Sequence, residues 1–399
     1  MAAIAEKYLI MVTLNNNNKF YRMIPDEDKK NFTVIYGRVG TAGQKTRYSI
    51  RDWDKIYNSK IEKGYVDQTA IMAASGSDEE EEFGFKPITN NNIRKIVEHL
   101  QKVARQTVKT NYKISSSQVT VEMVEEAEKI LAKMSQEKEK VKFNQLLIKL
   151  FETIPRKMTN VMAHTARTEA EMGKILQDES DLLDVMKGQM QTGRVVKKDT
   201  KKTGTILDTL GLVFEECTPE ELKQIKRHLD PDTQNRFRNA WVVKNLRTET
   251  AFNKYVEERK IRDFRYYYHG SRSENWWSII NGGLKLNPTN AVITGKMFGH
   301  GIYFAPKAKK SCGYMSTSGS YWAKGRDSFG YLAVYKIAYG KPMDVHSFDS
   351  KFYSYHEKDL KSKGFDCLHA HAGNMLVNDE VVIYNESAAT IRYLIEIAA

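Results

Sequence analysis

The hydrophobic period of this chain changes twice, and no single layer of secondary structure satisfies all three patterns. Up to about residue 70, apolar residues alternate in short runs broken by turn residues, as in YLIMVTL, FYRMI, FTVIYGRVG and TRYSI. Side chains on a strand alternate between faces, so this stretch predicts a small antiparallel sheet. From Thr89 the period becomes helical. Ile93, Ile96, Val97, Leu100 and Val103 form one stripe, and 121–134, 143–154 and 170–190 carry others. An all-α bundle is predicted there, with Ser115, Ser116 and Ser117 as candidate helix caps. From about Thr205 the pattern turns β-rich, in FRYYYHG, GIYFA, FGYLAVYKIAYG, EVVIY and IRYLIEI, with one helix at 274–280.

At ~100–200 residues per domain, 399 residues exceed one ordinary core. The expected fold class is α+β multidomain: a small antiparallel β domain at 1–72, an acidic linker at 73–88 around ASGSDEEEEFGF, a helical domain at 89–205 and a mixed β-rich domain at 206–399. Within the first, 53–63 reads as a helix stopped by Gly64, with Trp53 in the core. The polar stretch 188–204, with Lys197, Lys198, Lys201 and Lys202, reads as a solvated loop.

Several classes are excluded. No apolar run approaches the ~18 residues of a membrane span, so no membrane partner is expected. Glu6 and Lys7 interrupt the apolar amino terminus, which reads as a first strand and not a signal peptide, so secretion is not expected. Cys217, Cys312 and Cys367 are odd in number and far apart, which argues against a disulfide framework and against a CxxC zinc site; no metal is expected. The net charge of +12 would attract polyanions.

The chemistry concentrates in the last third. FRYYYHGSRSENWWSIINGGLKL places His269 at a strand end, followed by Gly270, Ser271 and Arg272. TGKMFGHGIYFAPKAKKS supplies glycines at 295, 299 and 301, then Tyr303 in an apolar strand, with Ser311 and Tyr314 beyond. Taken singly, a strand-terminal histidine is more often structural and a glycine-rich turn is usually only a turn. Together HGSR, GxGIYFA and the late DEVVIY strand resemble the catalytic domain of poly(ADP-ribose) polymerases, from about Phe237 to the last residue.

That resemblance implies an enzyme that splits NAD, its co-substrate, and hands ADP-ribose to protein acceptors. It implies a triad of His269, Tyr303 and Glu380. Glu386 in IYNES is the competing carboxylate, and counting back from the terminal strand selects Glu380. Loss of nicotinamide develops oxocarbenium-like charge on the ribose, which a carboxylate near the 2′-hydroxyl stabilises. By the same resemblance His269 and Ser271 hold the adenosine ribose, and Tyr303 and Tyr314 sandwich the nicotinamide. The Gly270 backbone and Ser311 hydroxyl hold the carboxamide and Lys310 steers phosphate or acceptor; a regulatory helical domain ahead of it, which the helical segment resembles, would place Asp184 at the adenosine end. Lys285 and Lys296 depart from the family's arginine and tyrosine, and a lysine lacks the arginine's bidentate fork. Glutamate in the third position implies chain elongation. The alternatives are a mono-ADP-ribosyltransferase and a non-catalytic DNA-end-binding adaptor.

The helical segment resembles the family's regulatory helical domain, by order and position and in FNQLLIKLFETIPRKM and SDLLDVMKGQM, which implies autoinhibition. The first segment resembles the WGR domain through YGRVG, with tyrosine for tryptophan. This implies binding of DNA ends or nicks through Tyr36, Arg38, Lys45 and Arg47. Automodification is expected on Ser75, Ser77 or the glutamates at 79–82. The expected location is the nucleus in a eukaryote and the cytoplasm or nucleoid for a bacterial or viral source.

Overall fold

The alternating runs of the first segment pair as β1 (Lys7–Thr13), β2 (Asn17–Pro25), β3 (Asn31–Arg38) and β4 (Gln44–Ser49), and β5 (Val66–Asp67) adds the far edge. The order is β4-β3-β2-β1-β5, antiparallel throughout. One face buries Leu9, Tyr21, Met23, Phe32 and Val34 against Trp53, the first residue of α1 (Trp53–Glu62). Trp53 meets Phe32 edge-on at 4.9 Å and is a core residue. After α1 the chain turns at Gly64, whose φ of +86° favours glycine.

The structure, a computed structural model, describes residues 4–69, 85–198, 204–286, 297–317 and 326–399. Ser75, Ser77, the glutamates at 79–82, Lys201, Lys202, Gly295 and Lys296 lie outside them.

The helical stripes form α2 (Asn91–Asn111), α3 (Val121–Gln136), α4 (Lys140–Thr153) and α5 (Glu169–Lys198). Two local expectations are corrected. The cap of α3 is Thr120, whose Oγ1 accepts from the Met123 N–H at 3.2 Å, while Ser115 sits in a turn closed by Gln118. The predicted loop at 188–204 is helical as far as Lys198. The helix continues because Gly188 packs on Ser278, where a Cβ would lie 2.0 Å from the hydroxyl oxygen; tertiary packing overrides glycine's modest helix penalty of about 1 kcal/mol.

The chain forms two compact units, Met1–Glu81 with Gln106–Met186, and Glu82–Arg105 with Lys187–Ala399. The segment at 89–205 therefore contributes to both, through α2 and α5. In the first unit the Asn18 amide donates to the Met158 carbonyl at 2.6 Å, Asn16 Oδ1 accepts from Val161 N–H at 2.8 Å, and Gln68 donates to the Glu152 carbonyl. These bonds knit sheet to helices. Arg156 and Glu179 form a buried pair at 3.4 Å, with the guanidinium 4.9 Å over the Tyr112 ring.

In the second unit, α6 (Ile206–Leu210), α7 (Pro219–His228), α8 (Pro231–Arg236) and α9 (Leu246–Glu258) are capped by Thr205, Thr218, Asp230 and Asn245, so the β-rich reading missed a helical layer. The strands are β6 (Leu212–Glu216), β7 (Phe237–Asn245), β8 (Phe264–Gly270), β9 (Ile302–Phe304), β10 (Phe329–Ala338), β11 (Pro342–Val345), β12 (Cys367–Ala370), β13 (Glu380–Ile383) and β14 (Ala389–Ala398). They build a five-stranded sheet, β6-β7-β14-β10-β8, and a four-stranded one, β11-β12-β13-β9, in which β11 and β12 run parallel. Tyr268 and Ala305 exchange both backbone hydrogen bonds at 2.9 Å and stitch the sheets together. The shorter helices α10 (Trp276–Gly282), α11 (Ala308–Cys312) and α12 (Glu357–Lys361) complete this unit, and the whole chain is α+β. Cys217, Cys312 and Cys367 are buried free thiols. No helix among the described residues is long and apolar enough to cross a membrane.

Candidate active site

The stitch between the sheets brings together the two strands that carry the candidate site residues His269 and Tyr303. His269 follows Tyr268 on β8, and its Nδ1–H donates to the Tyr303 carbonyl on β9 at 3.0 Å. That bond places the ring proton on Nδ1. The imidazole is held among Phe304, Tyr335 and Trp276, at ring distances of 5.8, 6.1 and 6.4 Å. The next residue must be glycine: a Cβ on Gly270 would stand 1.9 Å from the Ser311 carbonyl oxygen. Main chain thus approaches main chain here as closely as packing allows, with Ser311 buried on α11.

Tyr303 is anchored at both ends. Its hydroxyl accepts from the Phe298 N–H and donates to the Gly299 carbonyl, each at 3.0 Å, and Gly299 turns at φ +73°. In the four-stranded sheet Tyr303 lies opposite Val382. Glu380 is two residues from Val382 on the same strand, so Glu380 and Tyr303 leave the sheet on the same face. Burial pushes both the Tyr303 and Tyr314 hydroxyls well above the ordinary phenol range, and the Glu380 charge adds to each. The carboxylate is therefore the electrostatic neighbour of both rings.

Glu380 is buried and paired with Lys310 at 2.5 Å; Lys310 also donates to the Asn378 carbonyl at 3.2 Å. Burial raises the Glu380 carboxyl above the usual range, against the opposing pull of the ammonium. Sequence reasoning gave Lys310 to phosphate or acceptor and missed this pair. It also missed the Phe298 and Gly299 anchor. Nothing local signals either, because each pairs residues on separate elements.

The remaining site expectations divide. Ser271 Oγ accepts from Asn275 at 3.0 Å, next to His269 and Gly270. Lys285 stands apart: its Nζ pairs with Glu386 at 2.7 Å, on the rim of a cavity of about 180 Å³ that none of His269, Tyr303 and Glu380 lines. Glu386 opens a short 3₁₀ turn beyond β13. Asp184 is exposed on α5 within the first unit, where it is an electrostatic neighbour of Tyr112.

The four candidate DNA contacts do not share a face. Tyr36 lies on the buried face of β3, 5.9 Å from the Tyr21 ring. Lys45 and Arg47 oppose Ile35 and Thr33, which alternate with Tyr36 and so leave the other face. Arg47 pairs with Asp26 and Asp28, both at 2.7 Å, while Lys45 is exposed. Arg38 Nη2 donates to the carbonyls of Thr159 at 2.6 Å and Asn16 at 2.8 Å, which ties β3 to the chain ahead of α5.

Comparison with known proteins accords with this geometry. Residues 220–399 match the poly(ADP-ribose) polymerase catalytic domain, and residues 6–71 match the WGR domain. The chain is 32% identical to uncharacterized protein 101L of Invertebrate iridescent virus 6 over 215 residues, covering 53% of this chain and 86% of the viral protein. It is 28% identical over 182 residues to putative poly [ADP-ribose] polymerase-like 100L of the same virus, 45% of this chain and 96% of that one. Human poly [ADP-ribose] polymerase 2 aligns over 465 residues at 23% identity, covering 96% of this chain and 77% of its own length. The chain therefore belongs to the poly(ADP-ribose) polymerase family, as an NAD+ ADP-ribosyltransferase with a WGR domain ahead of its catalytic domain.

Proposed function

We propose that the chain extends ADP-ribose into polymers on protein acceptors, itself among them, and that DNA ends or nicks switch it on. In this reading residues 1–72 meet DNA, 89–205 restrain the enzyme and 206–399 catalyse. Its place of action follows the DNA: the nucleus of a eukaryote, or the cytoplasm or nucleoid for a bacterial or viral source.

Glu380 carries the polymer reading. Lys310 favours its ionised form on a buried face beside Tyr303 and Tyr314, so a carboxylate is presented where water is scarce. A carboxylate there holds a ribose hydroxyl of NAD or of a growing chain, and offsets positive charge as the nicotinamide bond breaks. Tyr303 and Tyr314 supply the aromatic platform, and the close Gly270–Ser311 approach supplies a rigid edge of main chain for the carboxamide.

The test is incorporation of label from NAD with and without nicked duplex DNA, followed by product length on a denaturing gel. A DNA-dependent ladder that collapses in Glu380→Gln is expected. Single-unit adducts would favour the mono-ADP-ribosyltransferase, and no label under either condition would leave a non-catalytic adaptor.

The regulatory part rests on α2 and α5, each of which runs from one compact unit into the other. Loosening the first unit should then release the second. Glu179→Leu strands the buried Arg156 charge, a loss of about 3–5 kcal/mol for a broken buried pair. DNA-free turnover should rise in this variant, and unchanged basal turnover refutes the restraint. For the DNA surface, Lys45→Glu should weaken binding to nicked duplex and lower the salt slope by about 1.

A further inference from the structure

On the opposite face of the four-stranded sheet from Tyr303 and Glu380, a second group of ionisable side chains converges. Asp344 and His369 are directly paired across the parallel strands β11 and β12. His346 and His371 follow two residues later on each chain, and the His371 N–H donates to the Val345 carbonyl at 2.9 Å, continuing the ladder. The pattern is D-V-H beside H-A-H, with every second residue on one face. Asp379, from the turn just before β13, closes the group.

We propose that Asp344, His369 and His371 bind one divalent transition-metal ion of the zinc class, with the fourth position open to solvent. One ligand atom from each of these three residues falls within 4.8 Å of the other two. His371 Nε2 is 2.7 Å from Asp344 Oδ1, His369 Nε2 is 3.0 Å from Asp379 Oδ2, and His371 Nδ1 is 3.8 Å from the same oxygen. In a tetrahedral zinc site with bonds of about 2.0–2.2 Å, neighbouring ligand atoms stand roughly 3.3 Å apart, so His371 Nε2 and Asp344 Oδ1 already stand near that spacing, while the His369 ring must turn out of its stack on His371 to bring a nitrogen to the same ion. Two imidazoles with carboxylate oxygens are a borderline donor set that favours zinc, cobalt or nickel over magnesium or calcium.

The surroundings have the form of a supported site. Tyr339 Oη lies 2.6 Å from His369 Nδ1 and holds that ring with Nε2 toward the carboxylates. The Ala372 N–H donates to Asp379 Oδ1 at 2.8 Å and orients the opposite oxygen toward the histidines. Such outer partners fix ligand rings and tautomers in metal sites. His346 stacks on His371 at 4.4 Å and His369 on its other side at 4.2 Å, so the rings stand in a parallel column. The Asp344 side chain is 51% exposed, which leaves the ion a path from solvent.

The consequence is mechanical. Asp379 immediately precedes Glu380 and stands 3.0 Å from His369 Nε2, so an ion joining β11 and β12 through Asp344, His369 and His371 steadies the neighbour of the turn that delivers Glu380.

The experiment uses the full chain without a polyhistidine tag, stripped with chelator and dialysed. Zinc content by mass spectrometry and a titration with Co²⁺ read by its visible d–d absorption are the measurements. One ion per chain is expected, with a tetrahedral cobalt spectrum and no thiolate charge-transfer band. The His369→Ala/His371→Ala double variant should lose the signal entirely. Asp344→Asn, at an exposed position that does not threaten folding, should weaken cobalt binding at least tenfold. No saturable binding by the parent chain, a thiolate band, or an unchanged titration in Asp344→Asn would overturn the proposal. None of these readings depends on ADP-ribosyl transfer.

Discussion

Asp379 and Glu380 are neighbours in sequence and serve opposite faces of one four-stranded sheet. Glu380 is only 6% exposed, neighbours two half-buried phenols and, among the described residues, pairs with the Lys310 cation. Asp379 is partly exposed and faces two imidazoles and a backbone N–H. Their carboxyls move in opposite directions. Burial dominates at Glu380 and raises it; at Asp379 burial also raises it, but the Ala372 N–H and His369 together outweigh that and hold it below the usual range. One turn of chain thus presents two carboxylates of different character, because solvent access and hydrogen-bond donors differ across a single layer of backbone.

The largest test of that separation is Glu380→Gln. Polymer synthesis should fall about 10²–10⁴-fold, the range for loss of a positioned acid–base group, while cobalt titration of the other face stays unchanged. A parallel loss of cobalt binding would show that the faces are not independent. Gly270→Ala comes next. Its Cβ would meet the Ser311 carbonyl at 1.9 Å, so main chain must move, with a stability loss of about 1–3 kcal/mol in thermal melts and weaker NAD binding. Unaltered melting and turnover would mean that the catalytic face is less rigid than its packing implies.

Tyr339→Phe addresses only the histidine face. Removing the hydroxyl beside His369 Nδ1 should weaken cobalt binding by about tenfold, at the low end for outer-shell partners, and leave the Glu380-dependent reaction intact at saturating metal. The smallest effect is in Lys310→Met. If Glu380 works as the ionised form, as proposed, its carboxyl being already raised by burial, activity should be present at high pH and lost as pH falls through that raised value. Removing the cation raises the carboxyl further, so the acid limb of the pH–activity profile should move to higher pH, and Lys310→Arg should largely restore it. An unmoved limb would remove Glu380 ionisation from the rate-controlling step.

Much of this organisation was legible beforehand. The alternation in FTVIYGRVG and the helical stripe at Ile93, Ile96 and Leu100 have periods that backbone geometry imposes. HGSR and GxGIYFA could be read because strand-end glycines carry their steric reason locally, as at Gly270. Lys285 was placed by analogy and pairs instead with Glu386, a residue far along the chain. The resemblance assigns Arg38 and Tyr36 to DNA; Arg38 also bonds the Asn16 and Thr159 carbonyls and Tyr36 packs on the buried face of its sheet, contacts that no local pattern signals. The D-V-H and H-A-H pattern lay in plain view and carried no signal, since it lacks cysteine spacing and its two halves become adjacent only through a parallel pairing.

By itself, the sequence determined the succession of sheet, helices and sheet, and the motif residues of the catalytic strands, because those follow from side-chain period and from steric needs within a few residues. Tertiary structure alone decided that Lys310 lies on Glu380, that α5 continues through Gly188 onto Ser278, and that Asp344, His369 and His371 meet. Those outcomes depend on strand register and on packing between distant segments, which outweigh local propensities of about 1 kcal/mol or less per residue.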